Sequence, residues 1–136
     1  MTEHLLDTDT LSFYMKGNQS VRGHVQEYLT LSEFNHLTIT EITYYEIRAG
    51  LEYVQAKKKL LLFDSFIASC RIVKLTKDSL NVAAYWYGKL RRGGIQIGTP
   101  DLLIAGTAIH EGYVLVTNNG KHYQPIEDLT IVNWKH

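Results

Sequence analysis

Only one cysteine, Cys70, occurs in the 136 residues, so no intrachain disulfide can form and no cysteine-built zinc site is available. That scarcity fits a reducing compartment and predicts a cytoplasmic protein. A basic segment followed by an apolar run, the mark of a secretory signal, is missing from the N-terminal stretch. No stretch approaches the roughly 20 apolar residues of a membrane span, so no membrane partner is expected. Repeats, low-complexity tracts and linkers are absent too. The six histidines stand at 4, 24, 36, 110, 122 and 136 without a His-x3-His pair, which removes the usual helical zinc motif.

Net charge is also lacking, with 14 Lys and Arg against 14 Asp and Glu. This excludes a uniformly basic nucleic-acid binder, but it says nothing about distribution. Residues 1–55 carry three bases (Lys16, Arg22, Arg48) against eight acids, a balance of −5. Residues 56–100 carry nine bases against Asp64 and Asp78, a balance of +7, and residues 101–136 carry two bases against four acids, a balance of −2. An acidic start therefore joins a basic middle and a mildly acidic end.

What is present is ordinary globular material, 45% hydrophobic and 21% charged. The length suits a single domain over residues 1–136, able to bury roughly two-thirds of its unfolded surface. His4-Leu5-Leu6 reads as a buried strand ending at Asp7, followed by the cap formers Thr8, Asp9, Thr10 and Ser12. Val21, Val25, Tyr28 and Leu29 recur at helical spacing. Leu37-Thr38-Ile39 reads as a second strand. Thr40 with Glu41 opens a helix to about Ala49, with Gly50 as its C-cap. A further helix runs from Val54 to Ile67, and its Leu60–Phe63 stretch predicts deep burial.

Ile72–Leu75 suggests a strand, and Thr76 or Asp78 caps a helix with Leu80, Ala83, Ala84, Trp86, Tyr87 and Leu90 on its apolar side. Pro100 suits the first turn of a helix that Gly112 ends. Val114–Thr117 is the clearest strand, and Ile131-Val132 supplies an edge strand. Strands alternating with helices predict an α/β fold with a parallel sheet covered on both faces, where sites gather beyond the strand C-termini.

That places weight on three acids. Asp7 follows a strand, Asp101 opens a helix, and Glu46 lies inside a helix between Tyr45 and Ile47, which read as partly buried. Each has a structural explanation: a helix cap for Asp7, a solvated helix acid for Glu46, a dipole partner for Asp101. Converging, they would repel one another, and a hard divalent cation would relieve that repulsion. Such a site polarises a phosphodiester.

The strings Leu5-Leu6-Asp7-Thr8-Asp9, Ile39-Thr40-Glu41-Ile42-Thr43-Tyr44-Tyr45-Glu46-Ile47-Arg48-Ala49-Gly50, Ile97-Gly98-Thr99-Pro100-Asp101-Leu102-Leu103-Ile104-Ala105 and Leu115-Val116-Thr117-Asn118-Asn119 with Lys121-His122-Tyr123 resemble the PIN domain. Their order over nearly the whole chain most resembles its VapC branch, the ribonuclease toxins of VapBC toxin–antitoxin modules. The resemblance implies an α/β/α sandwich with a central, mostly parallel sheet of about five strands flanked by helices. It implies that Asp7, Glu46 and Asp101 are the first three catalytic acids. Asp7 and Asp101 would hold Mg2+ (Mn2+ as substitute), and Glu46 would act directly or through water. Asn119 falls on the fourth position, often Asp in the family, which leaves one or two metals open. Asp9, Thr117 and Asn118 would support the site.

By the same resemblance the activity is hydrolysis of RNA, tRNA among the candidates, leaving a 3′-hydroxyl and a 5′-phosphate. The partners are an RNA substrate, a VapB-type antitoxin blocking the acid cleft, and a second copy in a homodimer. Arg48, Lys89, Arg91 and Arg92 are the phosphate-contact candidates. Lys57-Lys58-Lys59 reads either as a solvated face or as part of that surface. Tyr44, Tyr45, Tyr85, Trp86 and Tyr87 read as core or dimer interface. Two other readings compete. One is a PIN-like binding module without catalysis. The other is a receiver-type phospho-acceptor, which the absence of an acid after Leu37-Thr38-Ile39 disfavours.

Overall fold

Two adjacent leucines set up the architecture. Leu5 and Leu6 are both fully buried, and because strand side chains alternate they point to opposite faces of a sheet. The computed structural model describes residues 2–136. Along it run β1 (His4–Leu6), α1 (Thr8–Met15), α2 (Gln19–Leu31), β2 (Thr38–Thr40), α3 (Glu41–Tyr53) and α4 (Lys57–Ile67). These are followed by β3 (Arg71–Val73), α5 (Lys77–Arg92), α6 (Thr99–Glu111), β4 (Val114–Val116), α7 (Gly120–Tyr123) and β5 (Ile131–Val132). The five strands form one sheet in the order β3-β2-β1-β4-β5, with every pairing parallel. Such strands are covered on both sides, which is why they read as short apolar runs.

Leu5 and Leu115 face one core, with Trp86 and Leu90 of α5 and Leu102, Ile104, Ala105 and Ala108 of α6. Leu6, Ile39 and Val116 face the other, with Leu11 of α1, Val21, Val25 and Tyr28 of α2, and Trp134. The expected α/β/α sandwich is therefore present, and the sheet is wholly parallel.

Several local expectations are corrected. Gly50 does not cap α3. The helix continues to Tyr53 and the chain breaks at Gln55, whose φ is +54°. Val54 is thus the end of α3 and not the start of the next helix. The Leu60–Phe63 stretch is not deeply buried as a unit: Phe63 is enclosed, whereas Leu61 and Leu62 are 70% and 62% exposed. Four successive residues span a full helical turn, and α4 packs on α3 along one side only, so one member of the run finds the core. Tyr45 is exposed for the same reason, as is Leu80 on α5, where the buried stripe is Ser79, Ala83, Trp86 and Leu90. Trp86 is core as expected, but its neighbours Tyr85 and Tyr87 point to solvent.

The layer that carries the third acid is held by a close helix crossing. A Cβ on Gly106 of α6 would lie 2.8 Å from the Ser79 carbonyl oxygen and 2.9 Å from the Ala83 Cβ of α5. Gly23 of α2 has nothing within 4 Å of such an atom. Alanine normally adds up to about 1 kcal/mol over glycine inside a helix. Gly23→Ala is therefore expected to raise the melting temperature, while Gly106→Ala, which forces two backbones apart, is expected to lower stability by about 1–3 kcal/mol. Thermal unfolding of the two variants beside the parent checks the opposite signs.

Candidate active site

The sheet order makes a crevice. From β1 the chain passes to β2 and β3 on one side, then returns to β4 and β5 on the other, so the β1/β4 boundary is the topological switch point. Asp7 leaves the end of β1 there, and Thr117 leaves the end of β4. The Asp7 N–H donates to the Val116 carbonyl at 3.1 Å, extending the pairing by one residue. Asp7 Oδ1 accepts the Thr10 N–H at 2.8 Å and caps α1, while the Thr10 hydroxyl donates to the same Val116 carbonyl at 3.1 Å. Asp7 is thus both a helix cap and the acid at the crevice.

The electrostatics explain why a cap alone does not account for it. Asp7 is 6% exposed, and burial pushes its carboxyl pKa up from the ordinary value. Hydrogen bonds from Thr117 and Thr10 draw it back, and the negative charge of Asp9 pushes it further up. Thr117 Oγ1 accepts the Asn119 N–H at 3.0 Å, which leaves its own proton for Asp7. The buried Thr117 is the link between the last two motifs and the first acid.

Glu46 reaches the same region from α3. The Thr8 hydroxyl donates to Glu46 Oε1 at 2.6 Å, and the Thr8 and Thr43 hydroxyls lie 3.0 Å apart. Helix α3 starts with the Thr40 side chain accepting the Thr43 N–H, directly at the end of β2. That fixes Glu46 on the turn facing Thr8, the residue after Asp7.

Asp101 sits in the first turn of α6, half-buried, with Oδ2 3.1 Å from His122 Nε2. Tyr123 shows how the acids converge. Its side chain is 2% exposed, and burial raises the hydroxyl pKa far above its usual value. The carboxylates of Asp101 and Asp7, a hydrogen bond with Asp101, and Asp9 all push in the same direction. Asp101 of α6 and the Asp7/Asp9 pair at the start of α1, far apart in sequence, therefore lie near one phenol.

Among the described residues no three His, Cys, Asp or Glu side chains close into a ready metal cage. The donors at the crevice are instead an open set of oxygens, with one carboxyl whose charge the surroundings disfavour. That suits a hard cation such as Mg2+, which takes one or two carboxylates and keeps several waters.

The remaining site candidates divide. Asn119 stands at the start of α7 with its side chain exposed, and its backbone rather than its amide engages Thr117. Asn118 Oδ1 accepts from Asn133 Nδ2 at 3.4 Å, tying it to the end of β5. Arg48 pairs with Asp64 at 2.6 Å across the α3–α4 pair, on the exposed surface. Lys89 lies over the Trp86 ring at 4.9 Å and Arg91 over the Tyr87 ring at 5.6 Å. Arg92 is exposed at the end of α5 beside Gly88. Among the described residues, no hydrogen bond or ion pair joins these cations to the three acids. Sequence reasoning named Thr8 and Thr10 only as cap formers and gave no site role to Thr43, His122 or Tyr123. Their hydroxyl and ring contacts span the tertiary fold, and only the Lys121-His122-Tyr123 string pointed at two of them.

This parallel α/β/α sandwich with acids at its switch point matches the family model described as the PIN domain over residues 5–125. The chain belongs to the PIN domain family, and within it to the VapC branch. It is 28% identical over 135 residues to the tRNA(fMet)-specific endonuclease VapC of Salmonella typhimurium, covering 98% of this chain and 99% of that one. It is 29% identical to Ribonuclease VapC2 of Rickettsia felis, covering 96% and 97%. In three dimensions it matches the DNA-bound VapBC structure from Salmonella typhimurium with a TM-score of 0.87 at 26% identity, over 98% and 99% of the two chains.

The raised pKa of Asp7 carries a stability consequence. A buried carboxyl whose folded pKa exceeds its unfolded one destabilises the fold when ionised. That cost is full above the folded pKa, shrinks as pH falls through the window between the two values, and is gone below the ordinary value of 3.8. Asp7→Asn keeps a capping oxygen and removes the charge. It is expected to raise the melting temperature at pH 7.5 and to lose that advantage below about pH 4, as unfolding scans across pH will read.

Proposed function

We propose that the protein is a divalent-metal-dependent endoribonuclease that acts as the toxin of a VapBC-type toxin–antitoxin pair. The carrying observation is the buried, charge-disfavoured Asp7 at the β1/β4 crevice, near enough to the Tyr123 hydroxyl that Asp101 engages for its charge to act there. In this reading Asp7 and Asp101 are the cation's carboxylate ligands, and Glu46 acts directly or through water. When bound, Mg2+ or Mn2+ supplies positive charge that polarises a phosphodiester and lowers the pKa of coordinated water.

The chain's own groups do the positioning. Thr117 and Thr10 orient the Asp7 carboxyl through hydrogen bonds. Thr8 and Thr43 hold Glu46 toward the crevice as an acceptor for a proton from the attacking water. Asp9 adds negative charge at the entrance and Asn118 keeps the rim tied to β5. Asn119 brings a neutral amide to the fourth position, so one cation suffices for the reading. Lys89, Arg91 and Arg92 give α5 a cationic end that suits the phosphate chain of RNA. Transfer RNA is the substrate class we assign, because the similar Salmonella protein is named for it.

A VapB-type antitoxin is the partner in this reading. A groove of about 930 Å3 between α1, α3 and α4 is lined by Met15, Ile47, Leu51, Leu62 and Phe66, with Glu46 also in its wall. An amphipathic segment seated there would reach the acids and cover them. The exposed Leu80 and Tyr87, two turns apart on one flank of α5, offer an apolar strip for a second copy. No helix among the described residues is long and apolar enough to cross a membrane.

Incubation of the full chain with tRNA and Mg2+ tests the activity, read by mapping of RNA ends. Asp7→Asn and Asp101→Asn are each expected to slow cleavage by about 100-fold or more, the loss of roughly 3 kcal/mol of charge stabilisation, with the fold retained. EDTA is expected to abolish cleavage and excess Mg2+ to restore it. RNA binding without cleavage under all these conditions would instead identify a PIN-like binding module.

A further inference from the structure

Asp101 does not behave as a helix-start acid ordinarily does. It is the third residue of α6, where a carboxylate usually turns back toward its own cap. The cap here is Gly98, which makes no side-chain hydrogen bond, and the Asp101 carboxylate is engaged from outside its helix. His122 Nε2 lies 3.1 Å from Asp101 Oδ2, and an ionised carboxylate only accepts, so the ring donates. The next residue, Tyr123, offers its hydroxyl to the same carboxylate.

These two donors sit on a firm base. Tyr123 is 2% exposed, and its ring meets the His122 ring edge-on with centroids 5.2 Å apart. The His122 N–H donates to the Asn119 carbonyl at 3.0 Å. The start of the turn is packed so closely on β5 that a Cβ on Gly120 would lie 3.3 Å from Ile131 Cδ1. Helix α7 is thus a short rigid element whose last two side chains both address one acid.

We propose that His122 and Tyr123 are positioning residues that grip the Asp101 carboxylate from α7 and present it to a divalent cation. The inference rests on Asp101 being a cation ligand, as proposed above. Ligating carboxylates are oriented by hydrogen-bond donors behind them, and loss of such a donor typically weakens metal affinity by about 10–100-fold. Neither side chain needs to touch the substrate. The hydroxyl that distinguishes tyrosine from phenylalanine is the functional part of Tyr123, since its ring is already accounted for by packing.

The test is calorimetric titration of the full chain with Mn2+ and with Mg2+ alone, without RNA. Tyr123→Phe removes one donor in an isosteric, buried setting. His122→Leu removes the other, and His122→Gln keeps an N–H at similar reach. Tyr123→Phe and His122→Leu are each expected to bind the cation about tenfold more weakly, with His122→Gln recovering most of the loss. A purely structural role would not distinguish Leu from Gln in this way. If the parent binds the cation and all three variants bind equally tightly, the grip on Asp101 is overturned while the metal site stands. If the parent binds neither cation, the metal site itself fails and this inference with it.

Discussion

A buried negative charge organises this molecule. Asp7 sits at the end of the central strand, almost out of contact with solvent, where its ionised form is disfavoured by burial and by Asp9. Protein interiors accept such a group only when hydrogen bonds or a counter-charge compensate. The compensation visible here is a pair of donors: the Thr10 N–H and the Thr117 hydroxyl. Each comes from an element whose place is set by that same strand end. The cap of α1, the end of β4 and the acid are one construction.

The sheet order makes the construction possible. Because β1 lies between β2 and β4, the residues leaving those strands flank Asp7 on both sides. Thr40 starts α3 and so aims Glu46 at Thr8, while Thr117 precedes the turn into α7. Asp101 reaches the crevice by a different route. Its helix is pressed onto α5 at Gly106, where nothing larger than hydrogen fits, and α7 meets it through His122 and Tyr123. Two independent packing contacts thus decide where the third acid points.

Away from the crevice, the helices α3 and α4 project from the sheet with Tyr53, Val54, Leu61 and Leu62 in solvent. Val54 and Leu62 of this surface also line the groove that Glu46 borders. Patches of that kind mark interaction surfaces in small soluble domains. Glu46 is the one of the three acids that the groove shares.

Much of the fold was legible in the chain itself. Apolar runs too short for helices, such as His4-Leu5-Leu6 and Val114-Leu115-Val116, alternated with helical periods, and that pattern defines a covered parallel sheet. Asp7 and Asp101 could be singled out because strand ends and helix starts are local features. The burial of the Leu60–Phe63 run was misjudged because exposure depends on which neighbour a helix face meets, and Leu61 and Leu62 lie on the face of α4 turned to solvent. Gly50 looked like a helix end because glycine permits one, yet the helix passes through it and stops at Val54.

What the tertiary structure alone decided is the pairing: Thr8 with Glu46, Thr117 with Asp7, His122 with Asp101, and Arg48 with Asp64. The amino-acid sequence by itself determined the elements and the supply of carboxylates, because periodicity and composition are local properties. It could not determine which hydroxyl or ring meets which acid. Those contacts join residues up to 110 positions apart, and only strand order and helix crossing bring them within hydrogen-bond reach.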